Sequence, residues 1–261
     1  MGFRMNTPSH RGHAVAINGM EMYYEIHGAG EPLVLLHGFT GSGDNWEPFR
    51  DALAREHRLV IPDLRGHGRS TNPSREFTFR QSALDVSALL DRLDIHRFTA
   101  IGTSGGGNTL LHMATRQPDR VAAMVLISAA PYFPEQARTI MRQFTIDSRT
   151  DDEWQQMRQW HTYGDEQIRA LWMQAHAFKD SYDDMNFTPP LLSRITARTL
   201  IVHGDRDPLY PVTLPLEMFA GIPQSYLWIV PNGGHSPIFG DLATPFVETA
   251  LAFLRGDWDR P

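Results

Sequence analysis

One octapeptide limits what this chain can fold into more than any other part: Ile101-Gly102-Thr103-Ser104-Gly105-Gly106-Gly107-Asn108. The apolar run Phe98 to Ile101 precedes it and reads as a buried strand. Thr109 to Ala114 follows with helical apolar spacing. The chain therefore passes from strand to glycine-rich turn to helix, with one serine at the bend. In the spacing G-x-S-x-G, a serine on so sharp a bend takes a strained backbone, and side chains two residues before and after it would clash. The same bend puts Ser104 at a helix N-terminus, where free N–H groups and the positive dipole end favour an anion. The pentapeptide alone is equally compatible with an ordinary glycine-rich turn. A phosphate loop is a poor fit, because neither G-x-x-x-x-G-K-[ST] nor G-x-G-x-x-G is present.

The segments around it follow one grammar. His13 to Ile17 and Met20 to Ile26 flank Asn18-Gly19, a hairpin signal. Leu33 to Leu36 and Leu59 to Ile61 are continuous apolar runs, as strands buried on both faces require. A helix is expected over Asn45 to Glu56 and an amphipathic one over Phe77 to Leu93. The helix after Ser104 should stop near Gln117-Pro118, and Val121 to Ile127 reads as another strand. This is the order of a mostly parallel sheet with helices on both faces, whose strand carboxyl ends bind ligands.

Residues 131 to 195 break the rhythm. They carry helical stretches over Glu135 to Ile146, Thr150 to His161, Asp165 to Ala177 and Leu191 to Ile195, rich in large side chains. The segment is expected as a helical cap over the sheet's active edge, with most of its aromatics forming its own core and a minority facing a pocket. The sheet resumes with Thr199 to Val202 and Tyr226 to Val230, separated by a short helix over Val212 to Phe219. A helix from Leu242 to Leu254 closes the chain. Residues 1–13 are polar and expected to be disordered. The division is then 14–130 and 196–261 for the core and 131–195 for the cap.

Composition narrows the chemistry. The sequence has 261 residues and no cysteine, which excludes disulfides and thiolate catalysis. A net charge of −6 with no basic run argues against nucleic acid or an anionic membrane as partner. No apolar run reaches the length of a membrane span, and no secretory signal is evident, so a cytoplasmic location is the default. His10 and His13 form an H-x-x-H pair in a polar terminus, a weak metal signal.

Each of the last two strands ends in a loop with a residue suited to catalysis, Asp207 and His235. The chain order Ser104, Asp207, His235 is that of one triad-bearing fold. Together with His37-Gly38-Phe39, Asp63-x-Arg65-Gly66-x-Gly68-x-Ser70, Gly204-x-x-Asp207 and Gly233-Gly234-His235, it makes the chain resemble the α/β-hydrolase fold superfamily, in particular serine carboxylesterases with a helical cap. The resemblance runs from about His13 to Leu254. It implies an α/β fold with a mostly parallel eight-stranded sheet. It also implies a nucleophile in Ser104, a general base in His235 and an orienting acid in Asp207. The oxyanion would be met by the backbone N–H groups of Phe39 and Gly105, each such donor lowering the barrier by ~3–4 kcal/mol.

Phe39, Phe133, Ile238 and Phe239 are expected to bound the substrate pocket. Asp205 is the nearby rival to Asp207, while His37, His67, His112, His203 and Asp63 are expected in structural roles. Two features depart from the pattern: glycine follows the nucleophile where relatives often carry a larger residue, and the nucleophile is serine, which argues against the dehalogenases and epoxide hydrolases that attack through aspartate. The expected activity is hydrolysis of small, largely apolar esters by a monomer or homodimer, with no metal and no organic cofactor. Carbon–carbon hydrolysis, lactone hydrolysis, cofactor-free perhydrolysis and ligand sensing are the alternatives that a triad cannot separate.

Overall fold

The computed structural model describes residues 12–259. The disorder expected for the N-terminus falls on residues 1–11, outside those described, as does His10. Gly12 and His13, expected in that segment, instead pair with Glu25 and Tyr24. The hairpin explains this: Asn18 and Gly19 both take positive φ, 46° and 76°, the conformation of a tight turn that continues the ladder on both sides.

The strands are β1 (Gly12–Ile17), β2 (Met20–His27), β3 (Pro32–Leu36), β4 (Arg58–Pro62), β5 (Phe98–Thr103), β6 (Val121–Ile127), β7 (Arg198–Gly204) and β8 (Ser225–Val230). They form one eight-stranded sheet in the order β1-β2-β4-β3-β5-β6-β7-β8. The pairs β1–β2 and β2–β4 are antiparallel and the rest parallel, so the mostly parallel eight-stranded sheet expected from the sequence is present. The chain leaves β3 toward β4 on one side and returns to β5 on the other. A crevice opens at such a reversal, outside the strand carboxyl ends.

Leu33 to Leu36 show why the central strands are continuous apolar runs. Val34 and Leu36 pack into a core with α2 (Phe79–Arg92), α3 (Gly105–Arg116) and α8 (Thr213–Gly221). Leu33 and Leu35 face the opposite core, with α1 (Glu47–Leu53) and α9 (Ala243–Arg255). All four side chains are 0% exposed, and each such burial contributes about 1.5–3 kcal/mol.

Between β6 and β7 lie α4 (Glu135–Met141), α5 (Asp151–Trp160), α6 (Asp165–Ala177) and α7 (Pro189–Leu192). His161 and Asp184 are among the side chains that tie this segment to the core. His161 accepts the Gly68 N–H at Nδ1 over 2.9 Å and donates from Nε2 to the Thr40 carbonyl over 3.0 Å. Asp184 accepts the N–H groups of Phe79 and Arg80, at 2.6 and 3.1 Å, and so caps α2 from outside. The helix expected to reach Ile146 ends at Met141, because the chain turns back to set Phe144 edge-on to Trp172, with ring centroids 5.7 Å apart. The helix expected from Asn45 opens instead as a tight turn over Gly43–Trp46, and α1 ends at Leu53 rather than Glu56. Among the described residues no helix is long and apolar enough to cross a membrane.

Candidate active site

Ser104 joins β5 to α3 with φ 49° and ψ −113°. A non-glycine residue held there stores about 1–3 kcal/mol of strain. Neighbours fix the bend: the Ser104 N–H donates to the Ile127 carbonyl over 2.7 Å, and its own carbonyl accepts the Asn108 N–H over 2.9 Å. The flanking glycines are sterically required. A Cβ on Gly102 would lie 2.7 Å from the backbone of Gly106, and one on Gly106 would lie 2.2 Å from the Leu36 carbonyl oxygen.

His235 and Asp207, on the loops after β8 and β7, converge on this serine. The Ser104 hydroxyl lies 2.8 Å from His235 Nε2, and His235 Nδ1 lies 2.7 Å from Asp207 Oδ2. A carboxylate only accepts, so the proton is on Nδ1 and Nε2 is free to accept from the serine. The other oxygen of Asp207 accepts the N–H groups of Leu209 and Tyr210, at 2.8 and 3.1 Å. Burial pushes the Asp207 carboxyl up. The hydrogen bond and charge of His235 and those two N–H groups outweigh burial and hold it below the usual carboxylate range.

The loop after β3 lies against the nucleophile. The Phe39 nitrogen is 3.0 Å from where a Cβ on Gly105 would stand. Gly105 opens α3 and Phe39 sits in the loop, and neither N–H finds an acceptor among the described residues. The loop is anchored by His37, which donates from Nδ1 to the Gly38 carbonyl over 2.7 Å and accepts the Leu64 N–H at Nε2 over 3.0 Å. Burial lowers the His37 pKa, consistent with this neutral, two-bond ring.

These groups meet in a cavity of about 350 Å³. Its far wall comes from the helical segment, with Met141, Phe144, Trp160, Trp172 and Phe178. Among the described residues no arginine or lysine lines it.

Residues 31–185, more than half of the chain, match the family described as alpha/beta hydrolase fold. The chain belongs to that family. A non-heme chloroperoxidase of Streptomyces lividans is 30% identical over 225 residues, covering 74% of this chain and 81% of its own. The 2-hydroxy-6-oxo-6-(2'-aminophenyl)hexa-2,4-dienoic acid hydrolase of Metapseudomonas resinovorans is 25% identical over 260 residues, covering 92% and 89%. The solved structure of an N-acyl homoserine lactone degrading enzyme superposes with a TM-score of 0.74 at 25% identity, covering 92% of this chain and 99% of that one. Relatives of such different chemistry leave the reaction of this hydrolase-family chain to be argued from its own cavity.

Other sequence candidates occupy separate places in this α/β-hydrolase fold. Asp63 is fully buried and taken up by the N–H groups of Gly43 and Arg69 and by the Arg69 guanidinium. His67 bonds the Arg65 carbonyl, His112 the Asp184 carbonyl, and His203 the Tyr210 carbonyl. Asp205 contacts Arg206 at 3.9 Å, while the bond to His235 is made by Asp207. Phe39, Phe133 and Phe239 line the cavity, but Ile238 does not. Ile238 is 1% exposed and turns into the core between α1 and α9, beside Phe49 and Phe246. Its neighbour Phe239 is 43% exposed and reaches the cavity, with its ring 5.3 Å from that of Phe49. Trp46, Phe79, Asn108 and Tyr210 also line the cavity, and sequence reasoning missed them. Tyr210 stands three residues beyond Asp207, and Asn108 one helical turn beyond Ser104. Those spacings were the available signal.

Proposed function

We propose that this chain is a serine hydrolase of neutral carboxylic esters. Its core is formed by residues 14–130 and 196–261, and its cap by residues 131–195. The Ser104 hydroxyl attacks the ester carbonyl while His235 Nε2 takes its proton. The oxyanion is received by the N–H groups of Gly105 and Phe39. His235 returns the proton to the leaving alkoxide, and an acyl group is left on Ser104. Water, deprotonated by His235, then releases the acid. Asp207 keeps the His235 ring in the working tautomer and stabilises its protonated form.

One observation carries the choice of substrate: the hydrogen-bonded serine opens into a largely apolar cavity that, among the described residues, is lined by no arginine or lysine. A substrate carboxylate would enter it unpaired, at a large desolvation cost. This disfavours the kind of substrate named for the dienoic acid hydrolase and favours uncharged esters. About 350 Å³ is at the small end of ligand sites, which favours short acyl chains. The test is turnover of p-nitrophenyl esters of increasing acyl length by wild type and Ser104→Ala, beside a lactone and a dienoic acid. Fast ester hydrolysis that falls by at least about 10⁴-fold in Ser104→Ala is the expected result. Turnover of the dienoic acid or the lactone alone overturns the reading.

A further inference from the structure

The cavity holds two polar groups that this chemistry leaves unused. Asn108 follows Ser104 by one turn of α3 and is 1% exposed. Its Oδ1 accepts the Ala130 N–H over 3.1 Å, at the carboxyl end of β6. That bond aims the side chain at the same sheet edge as Ser104. Its amide nitrogen is buried and makes no hydrogen bond of ordinary geometry among the described residues. It faces the Tyr210 hydroxyl, whose oxygen is the acceptor nearest to one of its N–H protons. Tyr210 is 3% exposed, its ring lies edge-on to His235 with centroids 5.4 Å apart, and both residues line the cavity.

A buried donor left without a full set of acceptors is destabilising. Ala130 needs only an acceptor, so Asn108 uses its oxygen there; one N–H proton is directed at the Tyr210 oxygen, which leaves its second N–H proton and the Tyr210 hydroxyl proton for another acceptor. Trp46 is the other cavity residue with a buried, unpartnered donor, but its ring packs against Phe49 in the core. Asn108 and Tyr210 stand together, beside the nucleophile and the base.

We propose that Asn108 and Tyr210 form a substrate-binding pair for a second, uncharged acceptor oxygen close to the scissile ester. The substrate class becomes esters that carry an ether, hydroxyl or oxo oxygen within a few bonds of the reacting carbonyl, on the acyl or the alcohol side. This rests on the ester reading above. Water satisfies such donors in the free enzyme, and an ester oxygen at the same point replaces it. A purely hydrocarbon chain there offers the remaining protons of the pair no acceptor.

The experiment uses isosteric pairs in which an ether oxygen replaces one methylene. On the acyl side, p-nitrophenyl methoxyacetate is compared with p-nitrophenyl butanoate. On the alcohol side, 2-methoxyethyl butanoate is compared with butyl butanoate. Each kcat/KM ratio is divided by the ratio of the hydroxide-catalysed rates, which removes intrinsic reactivity. Because both esters of a pair meet the same preparation, the ratio is independent of the fraction of folded enzyme. Wild type is expected to favour the ether ester of one pair by about 3- to 10-fold beyond chemistry, the worth of one net hydrogen bond. The pair that shows it tells which side carries the oxygen. Asn108→Leu and Tyr210→Phe are each expected to bring that ratio back to the chemical one. Tyr210→Phe leaves the Ala130 anchor intact, so it decides the matter if Asn108→Leu misfolds. A wild type that hydrolyses all four esters at their chemical ratios overturns the pair while leaving the esterase reading standing, and so does a preference that survives in Tyr210→Phe and Asn108→Leu alike. Hydrolysis of none of them overturns both.

Discussion

At the scale of single residues, two adjacent glycines of the nucleophile turn do different things. A Cβ on Gly106 would meet the Leu36 and His37 carbonyl oxygens at 2.2 and 2.7 Å. Both belong to the sheet and its loop, and neither can yield. Gly106→Ala is therefore expected to lose about 3 kcal/mol or more, read as a drop in the urea midpoint. A Cβ on Gly105 would meet the Phe39 nitrogen at 3.0 Å and Phe79 Cε1 at 3.1 Å. Alanine at the start of α3 regains up to about 1 kcal/mol of helix propensity, which offsets the crowding, but it presses on Phe39, the residue proposed to supply the second oxyanion donor. Gly105→Ala should keep its thermal midpoint within a few degrees and lose about 10-fold or more in kcat. An unchanged kcat would remove Phe39 from the oxyanion site. Asp207→Asn has a third signature. Its Oδ1 still accepts from Leu209 and Tyr210, but a donor now faces His235 Nδ1 and selects the wrong tautomer. The fold should survive while kcat falls by about 10⁴. The spacing around Ser104 was enough to demand glycine at 102 and 106. The reason for glycine at 105 was not legible, because Phe39 and Phe79 reach it from distant parts of the chain.

At the scale of elements, the cavity wall depends on one arginine that nothing in the sequence marks out. Arg138 on α4 is 4% exposed. It donates to the Phe133 carbonyl over 3.0 Å, to Phe178 over 3.4 Å and to Ser181 over 2.8 Å, and also to Lys179. Its guanidinium also lies 3.8 Å from the centre of the Tyr182 ring. One side chain thus fastens the end of α6 to the start of α4 and fixes Phe133 and Phe178, both of which line the cavity. Arg138→Met removes the donors and leaves the carbonyls buried. A loss of about 2–4 kcal/mol is expected, with KM for a p-nitrophenyl ester rising more than kcat falls, since Ser104 and His235 are untouched. Equal loss in both parameters would mean that the wall also positions the reacting groups. The contrast with the sheet is instructive. Its strands were legible because a run such as Leu33 to Leu36 must be apolar on both faces, and Ser104, Asp207 and His235 were legible because they follow such runs. The cavity lining was read less well, since Ile238, Trp46, Asn108 and Tyr210 are sorted by which way a loop or a helix turn faces. That is decided by packing between elements far apart in sequence.

At the scale of the whole molecule, the chain keeps several histidines uncharged. His37, His57, His67, His112, His161 and His203 are each held below the ordinary histidine pKa, with burial the largest cause in every case. His161 falls to about 4 from 6.5. Unfolded, these rings take up protons as pH drops through about 6.5, while the native rings do not. The unfolded state then binds more protons, so stability is full above about pH 6.5 and is lost as pH falls below it. For His161, a shift from 6.5 to about 4 corresponds to roughly 3–4 kcal/mol at about 1.4 kcal/mol per unit, a large share of a typical total of about 5–15 kcal/mol. The reason is visible in its bonds, because a protonated Nδ1 cannot accept the Gly68 N–H. Acid should therefore release α5 and α6 from the loops after β3 and β4 before the sheet itself unfolds. His161→Gln does not titrate, and its amide can both accept and donate. It should be less stable than wild type at pH 7.5 but lose less between pH 6.5 and 4.5, so that the two stability curves from urea unfolding converge as the pH falls. Parallel curves would show that His161 does not carry the acid sensitivity, and would place it in the remaining buried rings.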